Sequence, residues 1–192
     1  MRAVKRVVDL AVALLSMPVV LPLCAVLMVI IRLESPGNPL FIQRRVGRHQ
    51  RAFSIYKLRT MAANTGDLPS HVAGERTVTR IGRILRKLKL DELPQLINVA
   101  TGTMSLVGPR PCLPSQLELI EERAKRGLFA HAPGITGPAQ IAGIDMSDPR
   151  RLAEVEAEYF GRATLAQDLR MIVQTATGAG AGDAAAKAGG KS

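Results

Sequence analysis

At 192 residues the chain has the length of one domain with room for a core, and 26 Lys and Arg against 16 Asp and Glu leave a formal net charge of +10. That charge favours an anionic partner: nucleic acid, an anionic membrane surface or a phosphorylated substrate. Aromatics at 3% with no Trp argue against readers of RNA and single strands, which stack bases on rings, and two distant cysteines support neither a disulfide scaffold nor a zinc site.

Residues 10–31, LAVALLSMPVVLPLCAVLMVII, carry no charge. As a straight helix these 22 residues would reach about 33 Å, enough for a bilayer core. The run is too long for a signal peptide and no small-residue cleavage site follows it. Pro18 and Pro22 disturb one face of such a helix, and Pro22 divides it into legs of about 15–18 Å, each half a bilayer. Arg2, Lys5 and Arg6 precede the run; Arg32, Arg44, Arg45, Arg48 and Arg51 follow it. The positive-inside rule then favours the cytoplasm for both flanks, which one span cannot satisfy. The expectation is a re-entrant, monotopic helix-break-helix over 1–33, with Pro22 at the break. A kinked transmembrane helix and a buried helix of a soluble core stay open on length alone. Asp9, at the membrane boundary, needs a basic partner or water; Arg6 or the globular part is expected to supply it.

ESPGN at 34–38 is turn chemistry that brings the chain out of the membrane. Residues 39–47 and 52–61 read as a β-hairpin with its loop near Gly47 to Arg51, and 62–75 as a surface loop. From Thr77, Ile81, Ile84, Leu85 and Leu88 form one stripe opposite Arg and Lys. Such a helix suits a membrane interface, and suits equally a core contact with a solvated basic face. Pro94 is tolerated only in a first helical turn, so a helix starts at about Leu90 to Glu92 and places Asp91 and Glu92 at its N-terminus. Unpaired N–H groups and the macrodipole there favour an ionised carboxylate. A positioned aspartate can attack phosphorus or bind Mg²⁺, with nearby cations holding phosphate oxygens; in isolation the same pair also reads as a plain acidic cap.

Ser115 and Glu118 make a capping-box pattern for a helix over 115–127, stopped by Gly127. APGITGPAQIAG at 132–143 is a Gly/Pro-rich loop too specific for a linker. A last helix spans about Asp148 to Thr175 in two pieces around Gly161, offering Leu152, Val155, Tyr159, Leu165, Leu169, Met171, Ile172 and Val173 to the core. The low-complexity end, 177–192, reads as a disordered tail. Cys112 reads as buried, and His49, His71 and His131 as loop or surface residues. The fold class is α+β, mostly helical: the membrane hairpin, then a small cytoplasmic domain over 34–176 with amphipathic interfacial helices and a short β-hairpin.

Three blocks, PLFIQRRVGRHQRAFSIYKLRTM, TRIGRILRKLKLDELPQLINVATGTMSLVGPRP and APGITGPAQIAG, occur in the order and spacing of the bacterial sugar transferases. The chain closely resembles that family of polyprenyl-phosphate phosphoglycosyl transferases over roughly residues 3–175, and most closely its small monotopic members. The resemblance implies transfer of a phospho-sugar from a UDP-sugar to polyprenyl (undecaprenyl) phosphate, releasing UMP, as an early membrane step of glycoconjugate assembly. It implies that Asp91 attacks the β-phosphate to form a phosphosugar-aspartyl intermediate, that Glu92 assists by positioning or proton handling, and that Mg²⁺ lies near Asp91. Lys57, Arg59, Arg86 and Arg110 match the family's basic positions, expected on phosphate oxygens, and Gln140 keeps its place in the family's loop. The GPRP turn is expected to aim Arg110 at the acid pair. Expected partners are the UDP-sugar, polyprenyl phosphate and membrane lipid, with downstream glycosyltransferases and a homodimer as further candidates and no nucleic acid. The expected location is the cytoplasmic face of the bacterial inner membrane. The chain departs from the family's usual residues at Leu21, Pro138, Ala142, Ile144 and Phe160. The changed loop leaves a second reading: a catalytically silent membrane-anchored scaffold.

Overall fold

The computed structural model describes residues 2–62 and 78–177. Most of them are helical. The expected surface loop at 62–75, and His71 within it, lies almost wholly outside the described residues, as does the expected tail beyond Thr177.

Helix α1 runs from Arg2 to Glu34 with Pro18 and Pro22 inside it. It is long and apolar enough to cross a membrane. Its apolar surface is mostly uncovered: Leu14, Leu15, Val19, Leu21 and Val26 are all more than half exposed. Its buried residues, Asp9, Ala13, Val20, Cys24 and Ile31, recur at helical spacing and form one stripe. Pro22 stands two residues from both Val20 and Cys24, and therefore on the opposite, exposed face.

Both ends of α1 are fastened to the rest of the protein. At the N-terminal end Asp9 accepts from Ser105 Oγ (2.8 Å) and the Leu106 N–H (3.1 Å). Its partners thus come from the globular part. Arg6 instead donates to the carbonyls of Val99 (2.5 Å), which also accepts from the Gly102 N–H, and of Ala100 (2.8 Å). At the other end Glu34 accepts from the backbone N–H of Arg80 (2.9 Å) and Ile81 (3.2 Å). Ile31 packs with Leu58 and Leu85.

Strands β1 (Leu40–Val46) and β2 (Ala52–Leu58) form the expected antiparallel hairpin, pairing Leu40 with Leu58 and Val46 with Ala52. His49 sits in its exposed loop at φ 55. Helix α2 (Arg80–Lys87) follows, capped by Thr79, whose hydroxyl accepts from the Gly82 N–H (2.9 Å). The apolar stripe of α2 divides: Leu85 enters the core, whereas Ile84 and Leu88 are 53% and 58% exposed. Then comes helix α3 (Gln95–Thr101), ended by Gly102 at φ 84. Its Asn98 is buried and stitches α3 to β2, donating to the Ser54 carbonyl (2.8 Å) and accepting from the Tyr56 N–H (3.2 Å).

The Gly/Pro-rich segment holds more order than its composition suggests. Strand β3 (Ser105–Val107) pairs in parallel with β4 (Gly134–Thr136), and the short helix α5 (Pro138–Ile141) follows. Helix α4 spans Leu117–Lys125 with Gln116 at its start and no side-chain cap, so the Ser115–Glu118 box does not form. The Gln116 Oε1 instead accepts from the Leu113 N–H (2.8 Å). Gly127 ends the segment at φ 65. Helices α6 (Pro149–Arg162) and α7 (Leu165–Ala176) form the expected pair. They break at Ala163–Thr164 rather than at Gly161, because Thr164 and Gln167 make a capping box that starts α7. Of the expected core contacts, Leu152 and Met171 are buried, while Leu169 and Val173 are 46% and 61% exposed. Cys112 is fully buried against Leu119, Ala139 and Leu152.

Candidate active site

The acid pair does not open a regular helix. Leu90–Glu92 form one 3₁₀ turn, preceded by Lys89 in the left-handed region at φ 55, and α3 begins three residues later. This reversal turns Asp91 inward, 9% exposed. It also brings Glu92 to Lys57 on β2, Nζ to Oε1 2.8 Å. Lys57, Glu92 and Arg110 line one open pocket together with Arg45 and Gln95.

The two neighbouring carboxyls are driven apart. Burial raises Asp91 to about 6, and the charge of Glu92 adds to the rise, against the pull of Lys57 and Arg86. Burial would raise Glu92 as well, but Lys57, then Arg110, outweigh it and hold Glu92 down at about 2. Lys89 is lowered by burial, with Glu92 opposing and Arg110 adding to the shift. The N-terminal position alone would keep Asp91 low; desolvation outweighs it.

Arg86 reaches the site from α2 and is steadied by its Nε–H, which donates to Thr60 Oγ1 (2.9 Å). Gly82 lets α2 approach closely enough: a Cβ there would stand 2.0 Å from the Thr60 carbonyl oxygen. Arg59 is placed differently. It is 8% exposed, and its guanidinium donates to the carbonyls of Pro36 (3.0 Å) and Ser35 (2.5 Å), in the turn that leaves α1. Gln140 sits on α5, where its amide donates to the Ile135 carbonyl (3.3 Å) beside the strand that borders the pocket. The structure thus brings together Lys57, Arg86, Asp91, Glu92 and Arg110, and engages Arg59 and Gln140 with backbone carbonyls instead.

Four residues of this region were not singled out by sequence. Gln95 is 2% exposed, lines the pocket, and has its Nε2 without a partner. Its signal was available, since position 95 is one helical turn beyond Asp91. Arg45 joins the hairpin to the turn by donating to the Pro111 carbonyl (3.1 Å). Arg123 and Glu156 form a buried ion pair beneath Arg110. Both lie in charge-rich helical stretches.

The departures from the family's usual loop residues have structural homes. Pro138 opens α5, Ala142 closes it, and Ile144 packs on the core around Cys112. Phe160 lies against the His131 ring, 4.7 Å between centroids, while the Tyr159 hydroxyl donates to Asp168 Oδ1 (2.7 Å).

Among the described residues no group of three or more His, Cys, Asp or Glu side chains stands ready for a metal. With Glu92 engaged by Lys57, Asp91 is the carboxylate left for a cation. One carboxylate suits Mg²⁺, which keeps several waters and commonly completes its shell with substrate phosphates.

The chain matches the bacterial sugar transferase family over residues 1–180. It is 37% identical over 179 residues to the UDP-N-acetylgalactosamine-undecaprenyl-phosphate N-acetylgalactosaminephosphotransferase of Aeromonas hydrophila, a match covering 90% of this chain and 42% of that protein. It is 38% identical to the undecaprenyl-phosphate glucose phosphotransferase of Komagataeibacter xylinus, covering 89% of this chain and 35% of the relative. It is also 38% identical to the UDP-glucose:undecaprenyl-phosphate glucose-1-phosphate transferase of Caulobacter vibrioides, with 89% and 67% covered. The chain therefore spans less than half the length of the first two. With a match along nearly the whole of its own length, the chain belongs to the bacterial sugar transferase family.

Proposed function

We propose that this chain transfers a phospho-sugar from a UDP-sugar to undecaprenyl phosphate at a membrane surface, using Asp91 as the nucleophile. The observation that carries this is a buried aspartate under the charges of Lys57 and Arg86, next to a pocket lined by Lys57, Glu92 and Arg110. An Asp91 oxygen attacks the phosphorus that bears the sugar. The bond from that phosphorus to the UMP oxygen breaks, and the electron pair leaves with UMP. The acceptor's phosphate oxygen then attacks the same phosphorus and releases Asp91. Splitting the transfer in two lets one site serve a soluble donor and a lipid acceptor in turn.

Lys57, Arg86 and Arg110 offset the negative charge that both steps bring together. Glu92 serves as a positioning group: held ionised, it orients Lys57 and faces Arg110. Arg59 holds the turn that leaves α1. Gln140 steadies the strand at the pocket's edge. Mg²⁺, when bound at Asp91 and the diphosphate, would supply further charge neutralisation.

The membrane placement is part of the proposal. In a re-entrant α1 both arms return to the same domain, and the contacts at Asp9 and Glu34 fit that geometry. A proline opens a helix on its own side, so a bend at Pro22 would close towards Val20 and Cys24. Exposed Ile84 and Leu88 on basic α2 suit the membrane interface on the cytoplasmic side. The relatives' donors differ, UDP-N-acetylgalactosamine in one and UDP-glucose in another, so the sugar has to be found by assay.

The test is UMP release by nanodisc-held protein, given a panel of UDP-sugars, undecaprenyl phosphate and Mg²⁺, beside Asp91→Asn. Release that requires the lipid and vanishes in the variant is expected. Silence across the panel from folded protein would sink the enzymatic reading and favour a scaffold.

A further inference from the structure

Beneath Arg110, α4 and α6 contribute two fully buried charges. Arg123 is 2% exposed and Glu156 1%. Their contact is bidentate: Arg123 Nε–H donates to Glu156 Oε2 (2.8 Å) and its Nη2 to Oε1 (2.7 Å). Arg123 also bonds the Cys112 thiol, and each partner makes a bond to the backbone of one residue, Arg110. The remaining Arg123 nitrogen, Nη1, donates to the Arg110 carbonyl (2.7 Å), and Glu156 Oε1 accepts from the Arg110 N–H (3.3 Å).

These two bonds fix the peptide planes on either side of Arg110. The orientations of the two planes set φ and ψ, and these set the direction in which the Cβ leaves the chain. The flanking residues do not compete, since Pro109 and Pro111 have no N–H to offer. Pairing with β4 holds the approach to the turn, through the Gly108 N–H on the Thr136 carbonyl (2.9 Å) and the Gly134 N–H on the Pro109 carbonyl (2.9 Å). The guanidinium at the end of this support lies near enough to Glu92 and Lys89 to lower both.

Stability is a poor reason for such a pair. Two charges taken out of water regain roughly what desolvation costs, and an apolar pair of similar volume commonly does as well or better. An apolar pair could not hold the Arg110 N–H and carbonyl.

We propose that Arg123 and Glu156 are positioning residues that hold the backbone of Arg110 so that its side chain faces the diphosphate of the sugar nucleotide. This inference rests on the reading of the pocket as the donor site.

The experiment uses the full chain in nanodiscs and the double variant Arg123→Met/Glu156→Leu. Each form is melted, assayed for UMP release, and titrated with UDP. The ion-pair swap itself is close to neutral, but the Arg110 N–H and carbonyl lose their partners, so the variant is expected to stay folded and melt about 5–10 °C below the parent. It is expected to release UMP on the order of 10- to 100-fold more slowly, the usual cost of a displaced positioning group, and to bind UDP more weakly. Placed on Arg110→Ala, the same pair of changes should add no further loss, because its target is already gone. A folded double variant with parental turnover and UDP binding would overturn the proposal. So would a loss that multiplies with that of Arg110→Ala. If the double variant does not fold, Glu156→Gln is judged by the same two criteria. If the parent binds UDP but turns over no donor, the enzymatic reading fails alone and UDP binding decides this one. If the parent binds no UDP, both fall.

Discussion

A carboxylate that is to attack phosphorus, as proposed for Asp91, should be ionised and yet poorly solvated, and Asp91 meets both demands near neutral pH. Burial lifts it to about 6, while Lys57 and Arg86 keep it from rising further. Glu92, one residue on, is held at about 2. The Asp91 shift therefore leads to an acid limb: in single turnover, formation of the intermediate should rise with pH through about 6 and then level off, and a rate flat from pH 5 to 8 would contradict it. Mg²⁺ should move that limb to lower pH, because the cation favours the ionised form. The same shift acts on stability. The folded protein holds the Asp91 proton more tightly than the unfolded chain does, so this group's contribution falls as pH rises from about 4 to 6. Glu92 acts in the opposite sense, its contribution growing as pH rises from about 2 to 4.5. At pH 8 Asp91→Asn should consequently abolish transfer while raising stability, by at most about 2–3 kcal/mol. Thermal melts of parent and variant at pH 5 and pH 8 would check this, and equal differences at the two pH values would count against the buried, raised carboxyl. The sequence allowed Asp91 and Glu92 to be picked out, through Pro94 and the surrounding cations. It could not show which of the two titrates, because that depends on Lys57, which is 35 residues from Glu92 and arrives on another element.

Elements hold these side chains through close backbone approach, and glycine marks where. Gly82 lets α2 lie on Thr60, and Arg86 is bonded to that same threonine. Gly82→Ala would drive α2 away from backbone that has no room to yield. A cost of about 1–3 kcal/mol is expected, together with a fall in UMP release larger than the loss of folded protein explains. A variant that melts lower but keeps full turnover per folded molecule would show that Arg86 tolerates the shift. Asn98 works differently, acting as a short substitute for a third strand beside β2. Asn98→Ala strands a buried N–H and a carbonyl, and should cost about 1–3 kcal/mol in a urea titration. The hairpin and the long helices could be read from periodicity, since each spans two or more repeats of its pattern. The β3–β4 pair could not. Each strand has three residues, and the glycines and prolines around β4 look like loop composition. They are there because backbones meet: a Cβ on Gly134 would fall 2.1 Å from the Gly108 nitrogen. The Ser115–Glu118 pattern failed for a related reason: Gln116 bonds the backbone of Leu113 and the helix starts later, at Leu117.

On the scale of the whole molecule, the proposed reaction requires a water-soluble donor and a lipid-bound acceptor to reach one aspartate. In this proposal α1 would bring the two together. Its first turns are tied to α3 and β3 by Arg6 and Asp9, and to α7 by Lys5, whose Nζ is 2.6 Å from Asp168 Oδ2. Its last turn is tied to α2 by Glu34. A straight span would carry one of these ends across roughly 30 Å of hydrocarbon from the other. One set of ties would then break, leaving a buried carboxylate at Asp9 or the first N–H groups of α2 without partners. Each such loss costs on the order of 1–3 kcal/mol, and more where charge is involved. A helix that enters, turns at the prolines and leaves keeps every tie and still sinks the exposed residues between Leu14 and Val26 into lipid. Both termini of α1 should then lie on one side of the membrane, together with the hairpin loop. Single cysteines at Val4, Leu33 and His49, all exposed positions, can be reacted with a membrane-impermeant maleimide in inverted vesicles and in intact spheroplasts. Cys24 and Cys112 are buried, so the introduced thiols should react first. All three are expected to label in the inverted vesicles and to be protected in the spheroplasts. Opposite patterns for positions 4 and 33 would mean that α1 crosses the bilayer, and the ties at one of its ends would then have to be absent in the membrane.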